Sequence, residues 1–440
     1  MKKTTFSILL LLLAKFSYAQ NGVTKTSFSL QEAVAHALTH NRNIQNASLG
    51  IQAAEEKRWE TITMGLPQIN GKIDYKSNIV RPIEEEGNPI IDFFIPKHSI
   101  TPSVTLSQLI FDGSYIVGLK ASKVFLEISK NYKEKTENEI EIAVVNAYTT
   151  AQITKENIAI IDRNIASVKE NLKDTKAIYE NGLTEEESVE QLSLTLADLE
   201  NSRKNLVNAN EVAQGMVKLL LGIPATTNIK LYENLETLIA NHSTLEGTKT
   251  THSVFNNIDY KIALNDVKSK ELLYQSERSK YLPSVTGFVS GNYQGINSRF
   301  GDLFNHQQEW LSTVVAGVSI NFPIFTSFKI RSKKRQAKIN WDSAINNLKD
   351  TEQKLSLDIK NAQSNYILAL ETYENRRKNL SLAEKIERKN TVKFKEGLTS
   401  SIALRQVQMQ LYGSQQEYLK AISDVINTKV ILKNTINLNK

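Results

Sequence analysis

The chain has 440 residues, of which 40% are hydrophobic and 23% are charged, and its formal net charge is +7. It contains no cysteine, which excludes a disulfide scaffold, a Cys-ligated metal site and a thiol nucleophile. No apolar run reaches the ~18 residues of a membrane-spanning helix, so a polytopic helical membrane protein is excluded as well. A charge excess this small over such a length gives no argument for a nucleic-acid partner.

Residues 1–19 have the pattern of a secretory signal peptide. Lys2 and Lys3 precede an apolar stretch from Phe6 to Ala14, and Ser17-Tyr18-Ala19 gives the small-x-small pattern that signal peptidase reads. We expect cleavage after Ala19. The mature protein is therefore expected to work outside the cytoplasm.

The mature chain begins with a predicted helix, followed by two predicted strands at about 66–80 and 98–111. In residues 99–110, Ile100, Val104 and Leu106 share one face of the strand, while serines and threonines share the other. Strands of this length can cross a bilayer when they are tilted. The loop between them, at about 80–98, carries the proline, glycine and aromatic residues expected outside a membrane.

The next tract is almost free of residues that interrupt helices. It has no proline between positions 103 and 223, and Gly182 is the only glycine between 119 and 214. Apolar residues recur there at spacings of three and four, as in amphipathic helices. The tract predicts a long antiparallel helical hairpin at about 114–222, with its tip at 180–187. An irregular bridging segment follows at 223–258.

The second half of the chain repeats the first at an offset of 214 to 216 residues. Leu66-Pro67 matches Leu282-Pro283, and Gly182-Leu183-Thr184 matches Gly397-Leu398-Thr399. The repeat predicts strands at about 283–296 and 310–323, then a helical hairpin at about 327–437 with its tip at 395–402. The chain is thus expected to hold two repeats, at 20–222 and 259–440.

Four strands in one chain cannot close a barrel, and an open sheet edge cannot lie in hydrocarbon with its backbone groups unpaired. Other chains must therefore complete the sheet. Two chains would give eight strands, whose interior side chains fill, and three would give twelve strands around a channel. The serine- and threonine-rich faces are expected to line that lumen.

With these features, the chain resembles the TolC-like outer-membrane efflux protein family over nearly all of its mature length. The resemblance depends on the order and duplication of a few motifs, namely Leu66-Pro67, Leu282-Pro283, Ile110-Phe111-Asp112-Gly113, Pro323-Ile324-Phe325 and the two tips, Tyr179-Glu180-Asn181-Gly182-Leu183-Thr184 and Phe394-Lys395-Glu396-Gly397-Leu398-Thr399. It implies an α+β membrane protein in the outer membrane of a Gram-negative bacterium, with a large periplasmic part. Three copies would form one 12-stranded β-barrel and a periplasmic α-helical tunnel.

The resemblance also implies partners and a role. The homotrimer would be the passive exit duct of a tripartite exporter, coupled to a periplasmic adaptor and to an inner-membrane pump of the resistance-nodulation-division or ATP-binding-cassette type. Adaptor docking is expected at the helical tips, with the residues Gly182, Leu183, Thr184, Gly397, Leu398, Thr399 and Ser400. The alternative is a periplasmic or secreted coiled-coil scaffold without channel activity, which leaves the strand alternation unexplained.

The return helices after the two tips carry different charges. Thr184 and Glu187 fit a capping box, and Ser400 and Ser401 can cap the second return helix. The best-known family members carry two aspartates, three residues apart, that ring the closed entrance, and the matching positions here are Ala403 and Gln406. These two are therefore candidate entrance-lining residues without charge. Glu185, Glu186 and Glu187 after the first tip are expected to make the entrance prefer cations.

No site for chemistry is predicted. Glu32, His36 and His40 share one helical face, but a third clear metal ligand is missing, so neither a metal nor a cofactor is expected. No phosphate loop, nucleophile elbow or acid–base pair is recognisable, which indicates that the protein is not an enzyme. The basic run from Lys329 to Lys338 lies just after the last strand, where outer-membrane lipids are a better partner than nucleic acid.

Overall fold

The computed structural model describes residues 26–80, 93–243 and 253–437. The predicted signal peptide and most of the first loop, predicted at about 80–98, lie outside the described residues. Among the helices in the described ranges, none combines the length and apolarity that a membrane span requires.

Six strands and eight α-helices lie in the described ranges. The strands are β1 (Ser27–Phe28), β2 (Gln68–Ser77), β3 (His98–Phe111), β4 (Lys230–Leu231), β5 (Ser284–Asn297) and β6 (Trp310–Asn321). The helices are α1 (Leu30–His40), α2 (Arg42–Thr63), α3 (Gly113–Glu180), α4 (Glu186–Leu221), α5 (Leu235–His242), α6 (Ile258–Ser279), α7 (Lys329–Lys395) and α8 (Ser401–Ile436). The return helices α4 and α8 have 36 residues each, and α3 and α7 have 68 and 67, so the predicted duplication of the hairpins is confirmed.

These elements form two compact units. Among the described residues, the first unit comprises 26–41, 140–243 and 365–431, and the second comprises 42–80, 93–139, 253–364 and 432–437. The long helices contribute residues to both units.

The second unit contains a four-stranded antiparallel sheet in the order β2-β3-β5-β6. Residues opposite each other on antiparallel strands point to the same face, and the register matches apolar residues with one another. Ile69 lies opposite Leu106, and Val285 lies opposite Ile320. This apolar face is largely exposed on the single chain, and the exposed fraction of Val314 reaches 77%. An apolar surface of this kind is normally covered by lipid or by another protein surface.

The other face of the sheet is mostly polar, as the alternation predicts. Asn70 lies opposite Thr105, which in turn lies opposite Ser290. The hydroxyls of Thr105 and Ser290 are 2.9 Å apart, and Lys72 and Asp74 form an ion pair at 2.9 Å. The sheet thus has one face suited to lipid and one suited to water.

Helices α2 and α6 end next to the sheet, and α3 begins there. The hydroxyls of Ser114 on α3 and Ser279 on α6 are 3.2 Å apart, and Tyr115 donates to the carbonyl of Ile62 on α2 at 3.2 Å. Further along α3, Lys135 pairs with Asp259 on α6 at 2.8 Å. Hydrogen bonds and ion pairs therefore fasten α2, α3 and α6 to one another.

The core of the first unit is a bundle formed by the tip-side parts of the four long helices. Its fully or almost fully buried apolar side chains include Val144, Tyr148, Val168, Leu192, Val217, Leu221, Tyr366, Leu404, Val425 and Ile426. Strands β1 and β4 form a short parallel pair, and the Tyr148 hydroxyl donates to the carbonyl of Phe28 at 3.0 Å. Burial raises the pKa of Tyr148 to about 12.

Candidate docking tips and entrance

The two helical tips have the same backbone. Gly182 has φ of 72° and Gly397 has φ of 70°, a left-handed conformation that glycine adopts without steric cost. Each glycine lies two residues after the last residue of a helix, α3 in the first repeat and α7 in the second. The identical backbone explains why both tips need glycine at this position.

Both turns carry the hydrogen bonds of a Schellman motif. In the first turn, the Gly182 amide donates to the carbonyl of Tyr179 at 2.8 Å, and the Leu183 amide donates to that of Ile178 at 3.1 Å. In the second turn, the corresponding pairs are Gly397 to Phe394 at 3.0 Å and Leu398 to Lys393 at 2.7 Å. The turns therefore satisfy the last carbonyls of both long helices without help from a partner.

A leucine projects from each turn into solvent. The exposed fraction is 78% for Leu183 and 75% for Leu398. In many helix ends, the residue after the left-handed glycine packs back on the helix, but these two side chains remain free. Their packing within the chain therefore contributes little to its stability.

The start of α4 differs from its prediction. The helix begins at Glu186, with Glu185 in the N-cap position and no side-chain capping bond. Thr184 lies one residue too early to cap the helix, and its hydroxyl donates to that of Ser188 at 3.4 Å. The Glu187 carboxylate accepts from Gln191 at 2.8 Å instead of reaching back. The predicted capping box is therefore wrong.

The start of α8 follows its prediction in part. The Ser400 hydroxyl accepts from the amide of Ala403 at 3.3 Å and caps the helix. Ser401 does not cap; it is buried, and its hydroxyl is 3.0 Å from that of Ser188 on α4. The two return helices therefore meet directly behind the tips.

An ion pair joins α3 and α7 near the same end. The Lys395 ammonium donates to the Glu170 carboxylate at 2.9 Å and lies 4.0 Å from Asp174. This hydrogen bond lowers the pKa of Glu170 and raises the pKa of Lys395. All three side chains are well exposed, so the pair orients the helices more than it stabilises them.

The predicted entrance residues lie on the first turns of the return helices. Glu185, Glu186 and Glu187 are all exposed, and none forms an ion pair with a described residue. Ala403 is half-buried and Gln406 is exposed. Uncompensated carboxylates at the N-terminus of α4 also interact favourably with its helix dipole.

A buried polar seam behind the tips was not predicted. The Asn164 amide on α3 donates to the Gln415 side chain on α8 at 3.0 Å, beside a cavity of about 150 Å³. Asn171 lies seven residues after Asn164 on α3, and Gln408 lies seven residues before Gln415 on the antiparallel α8. These two residues are 2% and 1% exposed. Within the described residues, the amide nitrogens of both side chains and the Gln408 oxygen have no hydrogen-bond partner. Polar residues at heptad spacing were the signal: Asn157, Asn164 and Asn171 on one helix and Ser401, Gln408 and Gln415 on the other.

Comparison with known proteins agrees with this architecture. Residues 256–437 match the model of a family described as outer membrane efflux protein. The outer membrane protein TolC of Vibrio cholerae is 22% identical over 337 residues, which cover 74% of this chain and 73% of the relative.

Solved structures share the fold over 92% of the chain. The CmeC outer membrane channel of Campylobacter jejuni has a TM-score of 0.74 at 16% identity, with 85% of that chain covered. The MtrE outer membrane channel of Neisseria gonorrhoeae has a TM-score of 0.71 at 15% identity, with 88% covered. The predicted fold class is confirmed, since the fold is that of solved outer membrane channels. The second repeat matches the outer membrane efflux protein family, as the sequence resemblance predicts.

Proposed function

We propose that this protein is the trimeric exit duct of a tripartite efflux or secretion system. The observation that carries the proposal is the four-stranded sheet, whose edge strands β2 and β6 have no partner among the described residues. In hydrocarbon, each unpaired backbone group costs several kcal/mol, so both edges must be paired. Three copies would pair edge to edge into twelve strands, wide enough for an aqueous channel.

The two faces of the sheet support the same arrangement. In a closed barrel, the face with Val285, Val314 and Ile320 would meet lipid. The face with Asn70, Thr105 and Ser290 would line the lumen, where water can satisfy hydroxyls and amides. The register that places each set on one face is thus the register that a channel requires.

Coupling to a periplasmic adaptor is the second part of the proposal. Leu183 and Leu398 are about three-quarters exposed, and burying a leucine fully is worth about 1.5–3 kcal/mol. A trimer would present six such side chains on rigid turns, so a partner with matching apolar pockets would gain from all of them. The inner-membrane pump, of the resistance-nodulation-division or ATP-binding-cassette type, would supply the energy for transport.

The first experiment is the protein mass of the detergent-solubilised particle, measured by light scattering with the detergent contribution subtracted. Three chains are expected. A single chain that is extracted without detergent would overturn the duct and favour the coiled-coil scaffold.

The docking assignment has its own test, in a strain that lacks the gene and is supplied with variants. Leu183→Asp combined with Leu398→Asp is expected to abolish export while the trimer still forms, because both side chains project into solvent. The control is Leu183→Met combined with Leu398→Met, which keeps apolar side chains of similar volume and is expected to export normally. Export is measured as resistance to a compound to which loss of the gene sensitises the cells. Normal export by the aspartate variant, or loss of its trimer, would contradict docking at the tips.

A further inference from the structure

The first three turns of α7 are strongly basic. Lys329, Arg331, Lys333, Lys334, Arg335 and Lys338 occur within ten residues, and the first turn contains no acidic residue. Cations at the start of a helix oppose its dipole and destabilise it. The fold alone therefore gives no reason for this cluster.

Four of these cations share one face of the helix. Arg331, Lys334, Arg335 and Lys338 follow the i, i+3, i+4, i+7 spacing of a single stripe. Lys338 pairs with Asp342 at 2.6 Å, and among the described residues it is the only one of the four with a carboxylate partner. Lys334 lies 5.9 Å from the centre of the Tyr274 ring on α6. Three cations of the stripe are thus left without a counter-charge.

Within the described residues, the neighbouring helix α6 forms no ion pair with the stripe. On α6, Glu277 binds Lys280 at 2.5 Å and Glu271 accepts from Gln275 at 3.0 Å. Neither carboxylate forms an ion pair with Arg331, Lys334 or Arg335. Among the described residues, the positive charge of these three side chains is therefore not neutralised by an ion pair.

The first repeat shows which residues the fold requires at the start of this long helix. At an offset of 215 residues, Arg331 and Lys334 correspond to Ile116 and Leu119 on α3, whereas Arg335 and Lys338 correspond to Lys120 and Lys123. Helix α3 starts beneath Asp112, whose carboxylate accepts from the amide of Tyr115 at 2.9 Å. The same backbone therefore forms with an acidic cap and an uncharged first turn, and two of the four cations of the stripe, Arg331 and Lys334, are specific to the second repeat.

Exposed apolar residues precede the stripe. In the segment between β6 and α7, the exposed fraction is 58% for Phe322, 88% for Ile324, 75% for Phe325 and 63% for Phe328. Phe328 has φ of 62°, an unfavourable conformation for a bulky residue. Backbone strain of this kind persists where the surroundings or a function maintain it. Here it accompanies an aromatic side chain that points away from the chain's own core.

We infer that the segment 322–338 of each protomer binds the headgroups of anionic phospholipids in the periplasmic leaflet of the outer membrane. Exposed aromatic side chains followed by lysines and arginines are the pattern of a membrane–water interface, and they match a phosphodiester headgroup above acyl chains. The inference rests on the proposed placement of the sheet in the membrane, because β6 ends at Asn321, only ten residues before Arg331. Lipid would then supply the counter-charge that the stripe lacks.

The test compares the full-length protein in a neutral detergent with two triple variants of equal charge change. Arg331→Gln, Lys334→Gln and Arg335→Gln remove the stripe. Lys385→Gln, Arg388→Gln and Lys389→Gln remove three exposed cations far along the same helix and serve as the control. Each protein is titrated with dihexanoyl phosphatidylglycerol, dihexanoyl phosphatidylcholine or inorganic phosphate, and the midpoint of thermal unfolding is followed.

Phosphatidylglycerol is expected to raise the unfolding midpoint of the wild type and of the control, and phosphatidylcholine is not. The concentration that gives half the effect should rise at least ~10-fold in the stripe variant, since each lysine or arginine near an anionic surface contributes roughly a fivefold gain in binding. Equal phosphatidylglycerol responses in the two variants, or an equal response to phosphatidylcholine, would overturn the inference. An equal response to inorganic phosphate would reassign the stripe to a soluble anion.

Particle mass separates this result from a failure of the proposed duct. A stripe variant that remains assembled and loses the phosphatidylglycerol response supports lipid binding. If that variant does not assemble, the double change Arg331→Gln and Arg335→Gln, which leaves Lys334 on the Tyr274 ring, is tested by the same titration with the same criteria.

Discussion

Gly182→Ala is expected to loosen the first tip while leaving its exposed surface unchanged. With φ of 72°, alanine at this position brings its Cβ too close to the following carbonyl oxygen. A Cβ placed on Gly182 meets no heavy atom within 4 Å beyond its chain neighbours. The cost is therefore backbone strain and not a clash with a neighbouring side chain.

The size of the effect follows from that strain. A left-handed alanine costs about 1–2 kcal/mol, and this shifts the equilibrium between the closed and the open turn by a factor of about 5–30. When the turn opens, the bonds from Gly182 to Tyr179 and from Leu183 to Ile178 break. Their amide protons should therefore exchange with solvent about 5–30 times faster in the variant.

Hydrogen–deuterium exchange, read by mass spectrometry on peptides that cover the turn, measures this change. Gly215→Ala is the matched control, because Gly215 lies inside α4 with open space around its Cβ. Alanine there is expected to stabilise the helix by about 0.5–1 kcal/mol. Identical exchange at the tip in the wild type and in Gly182→Ala would refute the reasoning. Faster exchange of α4 in Gly215→Ala would refute it too.

Three further changes test the same unit. Gln408→Leu is expected to raise the free energy of unfolding by about 1–3 kcal/mol, because it removes a buried amide without partners. Denaturant unfolding of the solubilised protein measures this change, and a lower free energy of unfolding would contradict it. Lys395→Gln should raise the pKa of Glu170 toward its ordinary value, and NMR titration checks it. In the wild type, the stabilisation from this pair is present above the ordinary carboxyl pKa and lost as the pH falls through the lowered one. Replacing all three acids of 185–187 by glutamine should reduce cation preference in planar bilayers, and unchanged ion selectivity would exclude them from the entrance.

The architecture could be predicted from the sequence because its signals are long. A tract of more than ninety residues that contains no proline and a single glycine admits few structures other than a hairpin of long helices. Period-two alternation over ten or more residues likewise fixes which strand face is apolar. The two left-handed glycines lie where a helix must reverse direction, and Gly182 and Gly397 were predicted there.

Short-range details were harder to predict because several residues compete for the same position. Thr184 and Glu185 could each precede the first turn of α4, and a shift of one residue removed the capping box. The buried polar seam could not be predicted for a different reason. Asn171 and Gln408 lie at positions that an apolar stripe would occupy, and only the pairing of α3 with α8 shows that they are enclosed together.

The duplication separates what the backbone requires from what each repeat adds. Both tips keep glycine because the left-handed turn needs it, and this requirement fully explains the glycine. The same reason does not extend to Leu183 and Leu398, because side chains that are three-quarters exposed contribute little packing. An exposed leucine at the same position of both turns is therefore the feature on which the proposed docking surface depends. The acids after the first tip, and Arg331 and Lys334 in the stripe on α7, have no charged counterpart in the other repeat, so neither the turn nor the helix requires them for folding.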